Sequence, residues 1–503
     1  MRRLLVLALA SACLAGPSAA AAVTVPQAPP AAFGDHPVWP LTSQGRWITD
    51  AQGRVVIVHG VNVTARAAPW QITAAGFGDD DAALLARAGF SAVRLAVVPA
   101  AVMPRPGAID RRYLDGVLRT VRLLARHGLM TLVVLHQDQW GPRYLGSGLP
   151  GWMTLDDRVP TGSRLRAPDG YLTNPALARA FQSFWANRLG PADVGLEDRW
   201  TQIAGAVARR LAHEHTLAGY DLMNAPWPGG ATWKDCLRDG CGAFQRVRLA
   251  RLWRRSVAMV RSVDPDAITW IEPPSLAPIA APLLLPATGD PRRSGLAFQA
   301  DCGLAAAASP AAAARPCGAL QAGALDRAAA WSAADARPAL LTGGAALRRG
   351  ATVDGLRRLA DARMLSWLRW SYAAVPAAPR DQPGIVRDLA RPARGDNVDE
   401  QRLSALDAPH PRLVAGTPEG WSLSAATGEF SAAWSTVLPT GLPAAEGALS
   451  EVWLGRRHFP AGYRLTLTGA TVVLRTADRV AVRALPGATR VTFTAAPAPP
   501  EAG

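Results

Sequence analysis

Short apolar runs alternate with amphipathic segments along most of the chain. The segments between the runs carry apolar residues at helical spacing, as in residues 113–127 and 200–213. Eight strands that alternate with helices are typical of a (β/α)8 barrel, whose chemistry lies at the C-terminal ends of its strands. The pattern therefore predicts an α/β fold of the TIM-barrel type. The eight predicted strands are residues 55–63, 92–98, 130–136, 218–224, 267–272, 295–302, 338–342 and 364–372.

The pattern changes character at about residue 412. From there, short segments alternate apolar and polar residues in the manner of strands, and Gly and Pro turns separate them. This predicts a small C-terminal β-sandwich, joined to the barrel by an Arg-, Asp- and Pro-rich linker over residues 376–411. The predicted division is a signal peptide over 1–22, the barrel over 23–405 and the sandwich over 406–503. The predicted sandwich strands are residues 421–423, 429–434, 463–467, 471–475 and 490–494.

The N-terminus has the pattern of a signal peptide. Arg2 and Arg3 precede an apolar run over residues 4–16 and a small-residue zone over 18–22. The run is shorter than the roughly 20 residues that span a membrane. The sequence therefore predicts a secreted or periplasmic protein. Lipoprotein anchoring at Cys13, which follows Ala-Ser-Ala, stays open as an alternative.

Four cysteines remain once Cys13 is removed with the signal peptide. An even number in an exported chain predicts two disulfides. Three pairings are possible, and the local one closes two short loops. A zinc site is the rival interpretation, but no His lies at ligand spacing from these cysteines, so we predict no metal. The four residues are Cys236, Cys241, Cys302 and Cys317.

Composition narrows the classes of partner. Hydrophobic residues make up 49% of the 503 residues, which indicates a substantial core, and the net charge is +15. Such a charge favours contact with an anionic membrane surface or polysaccharide, although a solvated basic surface without a specific partner is the simpler interpretation. No basic run is interleaved with aromatic residues, so we predict no nucleic-acid partner.

An ordered set of motifs carries a family resemblance. Together the motifs resemble the endoglycoceramidase-like branch of glycoside hydrolase family 5, and the likeness runs along the whole chain that follows the signal peptide. The motifs are HQDQW at 136–140, FWAN at 184–187, VGLEDR at 194–199, YDLMN at 220–224 with PWPG at 226–229, and VAGTP at 414–418.

The resemblance implies a retaining β-glycosidase mechanism with two carboxyl groups about 5–5.5 Å apart. The family places the acid/base Glu directly after an Asn at the end of strand four. It places the nucleophile Glu at the end of strand seven, in a Thr-Glu-Phe-Gly pattern. This chain has Ala225 at the first position and Gly343 at the second. Neither side chain can donate a proton or attack carbon, so we predict a catalytically inactive pseudo-glycosidase.

Other family positions have also changed. Relatives have an Asp two residues before the strand-three His, where this chain has Val134. They have His and Tyr at the end of strand six, where Gln299 and Ala300 stand, and a Trp after strand two, where Pro99 stands. Several losses at one pocket indicate drift or a new use after catalysis ceased to matter.

Part of the family's pocket is retained. Arg94 matches the residue that orients the nucleophile, while His136 and Asn224 match positions that hydrogen-bond the sugar in relatives. Trp370 matches the aromatic platform under the reacting sugar, where a ring face packs against sugar C–H groups. With Asp138 and Trp227, these residues form the predicted site for a glycan or glycolipid headgroup, and we predict no cofactor. Retention for packing alone is the alternative.

A second hypothesis is a working glycosidase that has recruited another acid. Glu272, at the end of strand five, is the first candidate, followed by Asp301 and Asp138. The simpler interpretation of Glu272 is a carboxylate that orients a loop, and Asp221 is expected to point into barrel packing or to a neighbouring helix. A third hypothesis is a structural or interaction protein with a vestigial pocket.

Overall fold

Apolar runs of the sequence form strands that are buried at every position. In the computed structural model, residues 92–97 and 130–135 are buried along their whole length. Such strands belong to a parallel sheet that other elements cover on both faces. The structure describes residues 36–65, 67–162, 165–230, 232–276, 283–285, 288–344, 353–373 and 384–499. The predicted signal peptide, with Cys13, lies outside these residues.

The predicted barrel is confirmed. Three short strands, β1 (Thr42–Gln44), β2 (Trp47–Thr49) and β3 (Val55–Val56), precede it. Eight parallel strands then close on themselves, because the first pairs with both the second and the last. They are β4 (His59–Val63), β5 (Ala92–Val97), β6 (Met130–Leu135), β7 (Leu217–Asp221), β8 (Thr269–Ile271), β9 (Ser294–Gln299), β10 (Ala339–Gly343) and β11 (Ser366–Arg369).

Amphipathic helices connect the barrel strands. In α3 (Arg111–Arg126), the Asp110 side chain caps the first turn by accepting from the Tyr113 amide, and apolar residues at helical spacing are buried. The other helices are α1 (Asp79–Arg87), α2 (Pro99–Val102), α4 (Asp169–Thr173), α5 (Pro175–Trp185), α6 (Leu196–Leu211), α7 (Thr232–Asp239), α8 (Ala250–Arg261), α9 (Cys302–Ala308), α10 (Pro310–Ala313), α11 (Cys317–Asp335), α12 (Val353–Asp361) and α13 (Glu400–Leu406).

The C-terminal region forms two antiparallel sheets. One has seven strands in the order β1-β2-β3-β12-β15-β18-β17, and the other has four in the order β13-β14-β19-β16. The N-terminal strands β1–β3 thus complete the larger sheet, which the sequence did not predict. The C-terminal strands are β12 (His410–Val414), β13 (Thr417–Leu423), β14 (Phe430–Ser435), β15 (Leu449–Trp453), β16 (Tyr463–Thr468), β17 (Ala470–Arg475), β18 (Arg479–Ala484) and β19 (Arg490–Pro497).

Two sequence predictions about this region are wrong. Residues 55–63 are not one strand: β3 pairs with β12 of the larger sheet, and β4 begins the barrel. The run shows neither a helical nor an alternating pattern. It therefore gives no sign that the chain passes from the larger sheet into the barrel within these residues. Residues 384–411, predicted as linker, contain α13 and the start of β12, and the Asp399 side chain caps that helix by accepting from the Arg402 amide. Residues 376–383 of that prediction lie outside the described residues.

The larger sheet closes the N-terminal end of the barrel. Leu41, Ile48 and Val56 share a buried cluster with Met130 and Ile268, which lie at or next to the starts of barrel strands. One end of the barrel is therefore filled by apolar contacts. A functional site is therefore expected at the opposite end, where the barrel strands terminate.

Both predicted disulfides are present with the local pairing. Cys236 pairs with Cys241, and Cys302 pairs with Cys317. The second bridge ties the start of α9 to the start of α11. In the described part of the chain, no helix is both long and apolar enough to cross a membrane.

Two histidine rings pack against each other where the barrel meets the larger sheet. The ring centroids of His59 on β4 and His410 on β12 are 3.7 Å apart, and Trp367 stacks on His59 at 4.2 Å. Burial lowers the pKa of His410 to about 3 and holds the pKa of His59 well below 6.5, with the charges of Arg357 and Arg412 adding to the effect. Both rings are therefore neutral in the folded protein at neutral pH.

This arrangement predicts loss of stability in acid. In the unfolded chain these rings take up protons near pH 6.5, so the stability that neutral His410 contributes is present above that pH and is lost as pH falls toward its folded value. In the wild type, His410 should lower the free energy of unfolding by about 1.4 kcal/mol for each pH unit below about pH 6.5. His410→Phe keeps an aromatic ring at this position but cannot take up a proton, so we expect this contribution to the pH slope to disappear. Urea denaturation between pH 7 and 4.5 measures it. The exposed His213 serves as the control in His213→Phe, and equal pH slopes for both variants would contradict the prediction.

Candidate functional site

A cavity opens at the C-terminal end of the barrel. Its wall is formed mainly by residues that lie at the ends of the strands or directly after them, as expected for this fold. Five of the six predicted ligand-binding residues line it: Arg94, His136, Asp138, Asn224 and Trp370. Ala225, Glu272, Gln299, Asp301, Thr342 and Gly343 also line it. The tertiary structure thus brings together residues that are far apart in the sequence.

Arg94 lies in the middle of β5 and is 1% exposed. Its Nη2 is 2.6 Å from Asp221 Oδ2 and 2.8 Å from Glu272 Oε1, and its Nε donates to the same Asp221 oxygen at 3.0 Å. Its Nη1 donates to the side-chain oxygens of Asn62 and Asn224, each at 3.0 Å. The guanidinium is therefore fully hydrogen-bonded, and Asp221 and Glu272 balance its charge.

Asp221 and Glu272 both form ion pairs with the same arginine, Arg94. Burial, followed by the neighbouring charge of Asp221, raises the pKa of Glu272 to about 8. Burial also raises the pKa of Asp221, which the charge of Arg94 opposes. We infer that the pair shares one proton at neutral pH, because one cation can balance only one buried carboxylate.

Glu272 is tied to its surroundings by both oxygens. Oε2 accepts from the Ala225 amide at 2.7 Å and from Gln299 Nε2 at 3.2 Å, while Oε1 accepts from Arg94 and from Thr342 Oγ1. The side chain holds the backbone at Ala225, whose φ is 48°. These contacts are those of a carboxyl group that orients a loop, the simpler of the two interpretations made from the sequence.

The two positions expected to carry catalytic acids face the cavity without a reactive group. Ala225 is half-buried in its wall, and Gly343 is the last residue of β10. A Cβ atom built on Gly343 would lie 3.1 Å from both Cγ and Oε1 of Gln299. The space next to Gly343 is thus occupied by the Gln299 side chain.

Gln299 is fixed in that place by two hydrogen bonds. Its Nε2 donates to Asn224 Oδ1 at 3.0 Å and to Glu272 Oε2 at 3.2 Å. Asn224 in turn donates from Nδ2 to the Gln137 carbonyl at 2.7 Å. A neutral amide network therefore occupies the floor of the cavity. The sequence indicates that Gln299 stands where relatives have a His, but it carries no signal that Gln299 lies beside Gly343.

Trp227 is placed differently from the prediction. It is fully buried, does not line the cavity, and packs against Tyr171, with ring centroids 5.1 Å apart. Its backbone carbonyl accepts from Trp185 Nε1 at 2.8 Å. The PWPG motif thus supports the cavity wall from behind, and Tyr171, which packs on Trp227, lines the cavity.

Asp301 and Asp221 have structural partners. Asp301 caps α9, since its Oδ1 accepts from the amides of Gly303 and Leu304 at 2.8 and 3.3 Å. Asp221 ends β7 and points into the barrel, where it pairs with Arg94. The sequence signal for Asp221 was a lone charge inside an apolar run, and that charge requires a buried partner.

Trp370 follows β11 and is half-buried. It lines the cavity and also a second cavity, whose wall includes Ala67, Pro69, Ile72 and Leu389. The second cavity is the more apolar of the two in its side chains. In the described part of the chain, no three His, Cys, Asp or Glu side chains are grouped as a metal site requires.

Residues 409–492 match the glycoside hydrolase family 5 C-terminal domain. Endo-glycoceramidase II from Rhodococcus sp. has a similar structure, with a TM-score of 0.70 and 26% identity over 90% of this chain and 99% of that chain. This chain is endoglycoceramidase-like. The same enzyme solved as a lactosyl-enzyme intermediate is 25% identical over 91% of this chain and 100% of that chain, with a TM-score of 0.69.

A curated relative gives the same assignment over a shorter stretch. Endoglycoceramidase I from Rhodococcus hoagii is 30% identical over 237 residues, which are 47% of this chain and 46% of that protein. The chain thus spans about half the length of the curated relatives that it matches. The predicted resemblance to endoglycoceramidases is confirmed at this level.

Proposed function

We propose that this endoglycoceramidase-like protein is exported and binds a glycan, or the headgroup of a glycolipid, without cleaving it. The observation that carries the proposal is the occupied nucleophile position. Gln299 fills the space beside Gly343 and is held by Asn224 and Glu272. Together with Ala225, this leaves no carboxyl group where a retaining mechanism needs one.

The wall of the cavity keeps the features that favour a sugar. Trp370 offers an apolar ring face for sugar C–H groups, and Asp138 and Asn224 offer polar groups for hydroxyls. The ligand class follows from the relatives, since Endo-glycoceramidase II forms a lactosyl-enzyme intermediate. We propose that the apolar cavity beyond Trp370 takes the lipid end of a glycolipid whose headgroup lies in the first cavity.

The test is a titration of the full chain with lactose and with lactosylceramide in neutral detergent micelles. We expect saturable binding without release of reducing sugar. Trp370→Ala should weaken binding about tenfold, the effect of losing one stacked ring at roughly 1.4 kcal/mol. Trp39→Ala, at a half-buried tryptophan that packs on the N-terminal end of the barrel, should leave binding unchanged.

Each other outcome overturns part of the proposal. Turnover that Glu272→Gln abolishes would establish a recruited acid and a working hydrolase. Absence of saturable binding to both probes would leave the cavity vestigial. Equal loss of affinity in the Trp370 and Trp39 variants would place the ligand elsewhere.

A further inference from the structure

The open edge of the C-terminal sandwich carries exposed apolar side chains. β17 is the outermost strand of the seven-stranded sheet, and Val472, Val473 and Leu474 are 41%, 45% and 38% exposed. Leu485, 47% exposed, adjoins this strand, because its amide donates to the Gly469 carbonyl at 3.0 Å. We call these four side chains the edge patch. Burying such residues in the protein would have stabilised it, so their exposure needs a reason.

Arginines without acidic partners surround the edge patch. Arg475 ends β17, Arg483 lies opposite Thr471 in the β17–β18 pairing, and Arg464 lies on β16, which Gly469 joins to β17. All three are exposed, and among the described residues none of them is in an ion pair. Arg475 donates from Nη2 to the Tyr463 carbonyl at 2.6 Å and lies over the Tyr463 ring. No acidic side chain of the described residues neutralises the three arginines, so their charge can attract an anionic partner.

The shape of β17 argues against another protein strand as the partner. Its pairing with β18 shifts register between Val472 and Leu474, which is a bulge at Val473. A bulge interrupts the row of backbone groups that an added strand would need. Residues 471–475 are exposed at every position, so both sides of the strand are open and a flat protein face would cover only part of the edge patch. A fluid surface can surround the strand from both sides.

We propose that the edge patch and its three arginines bind the surface of an anionic phospholipid bilayer. The apolar side chains enter the boundary between headgroups and acyl chains, and the arginines remain at the phosphates. Unpaired backbone groups of the edge strand are costly in hydrocarbon, so the strand stops at this boundary. This proposal is independent of the glycan proposal, because none of these residues lines the barrel cavity.

The experiment is co-flotation of the full chain with vesicles that contain no glycolipid. One set contains phosphatidylcholine with phosphatidylglycerol, and the other contains phosphatidylcholine alone. We expect binding to the anionic vesicles that weakens with added salt. Replacement of Arg464, Arg475 and Arg483 by Gln should weaken partition about a hundredfold, at about fivefold per arginine near an anionic surface. Val472, Val473 and Leu474 changed to Ser should weaken it at least tenfold.

The control is Val437→Ser with Leu442→Ser, in the same domain. These residues are 41% and 64% exposed and lie outside the edge patch, so vesicle binding should not change. Absence of binding to anionic vesicles, or equal binding by the control and both edge variants, would overturn the proposal. A dimer in size-exclusion chromatography that the serine variant alone abolishes would overturn it too, because the edge would then pair with a second copy. Arg475 also contacts Tyr463, so the free energy of unfolding of the arginine variant in urea is compared with that of the wild type. Lost vesicle binding at unchanged stability supports the proposal.

Discussion

Replacing Arg94 by Met should destabilise the protein by about 3–5 kcal/mol, the range measured when one partner of a buried ion pair is removed. Methionine keeps the unbranched, apolar part of the side chain but leaves Asp221 and Glu272 buried without a cation. Both carboxyls would then protonate in the folded state. The measurement is the free energy of unfolding in urea, followed by tryptophan fluorescence.

The pH dependence distinguishes this cause from a packing defect. Without Arg94, the folded pKa of both carboxyls is raised further above the unfolded values. Stability from such groups is present below about pH 4 and is lost as pH rises toward the folded values. The deficit of Arg94→Met should therefore be larger at pH 8 than at pH 5. Adding Asp221→Asn should recover part of it at pH 8.

Arg122→Met is the matched control. Arg122 is 60% exposed and pairs with Glu214 at 2.8 Å. An exposed pair contributes at most about 1 kcal/mol, so this variant should stay near wild type at both pH values. A deficit of Arg94→Met that is the same at pH 5 and pH 8 would show that the buried carboxyls do not depend on the arginine.

Restoring both acids should give at most weak glycosidase activity. Ala225→Glu returns a carboxyl to a position whose φ of 48° lies in the left-handed region, at a modest cost. Gly343→Glu meets Gln299, which must move because a Cβ there would lie 3.1 Å from Gln299 Cγ. A misplacement of about 1 Å can lower a rate about a hundredfold. We therefore expect the double variant to be poorly active on a fluorogenic β-glycoside between pH 4 and 8.

Clearing that space should raise the rate. Adding Gln299→His and Val134→Asp removes the amide beside position 343 and returns two groups that relatives use, so the quadruple variant should be about a hundredfold faster than the double variant. The same quadruple variant with Gln in place of the two restored Glu is the control, and it should be inactive. A double variant as fast as the quadruple variant would show that only the two acids were lost.

Much of the barrel could be predicted because its signals are local. Each apolar run is long enough to mark a strand. The runs at 130–136 and 218–224 end in His136 and Asn224, which line the cavity as expected for strand ends. The prediction that Ala225 stands at the acid/base position rests on its place directly after Asn224, and it stays a prediction. The four cysteines predicted two disulfides, whereas the tertiary structure decided between the three possible pairings.

Other features had no local signal. β15 and β18 are largely buried, so they lack the alternation by which β13, β14 and β19 show themselves. β1–β3 are two or three residues long, and their sheet lies at the far end of the chain. A periodic pattern reports which faces of an element are buried and not which element covers them.

The sequence by itself determined the eight-stranded barrel, the sandwich and the absence of acids at positions 225 and 343. Only the tertiary structure decided which side chains surround those positions and Arg94. Asp221 and Glu272 come from β7 and the end of β8, and they reach Arg94 because the barrel curves three strands around one guanidinium. Gln299 reaches Gly343 because β9 and β10 are neighbours in the closed barrel. Charge balance and space inside a barrel depend on contacts between residues remote in sequence, which no single segment encodes.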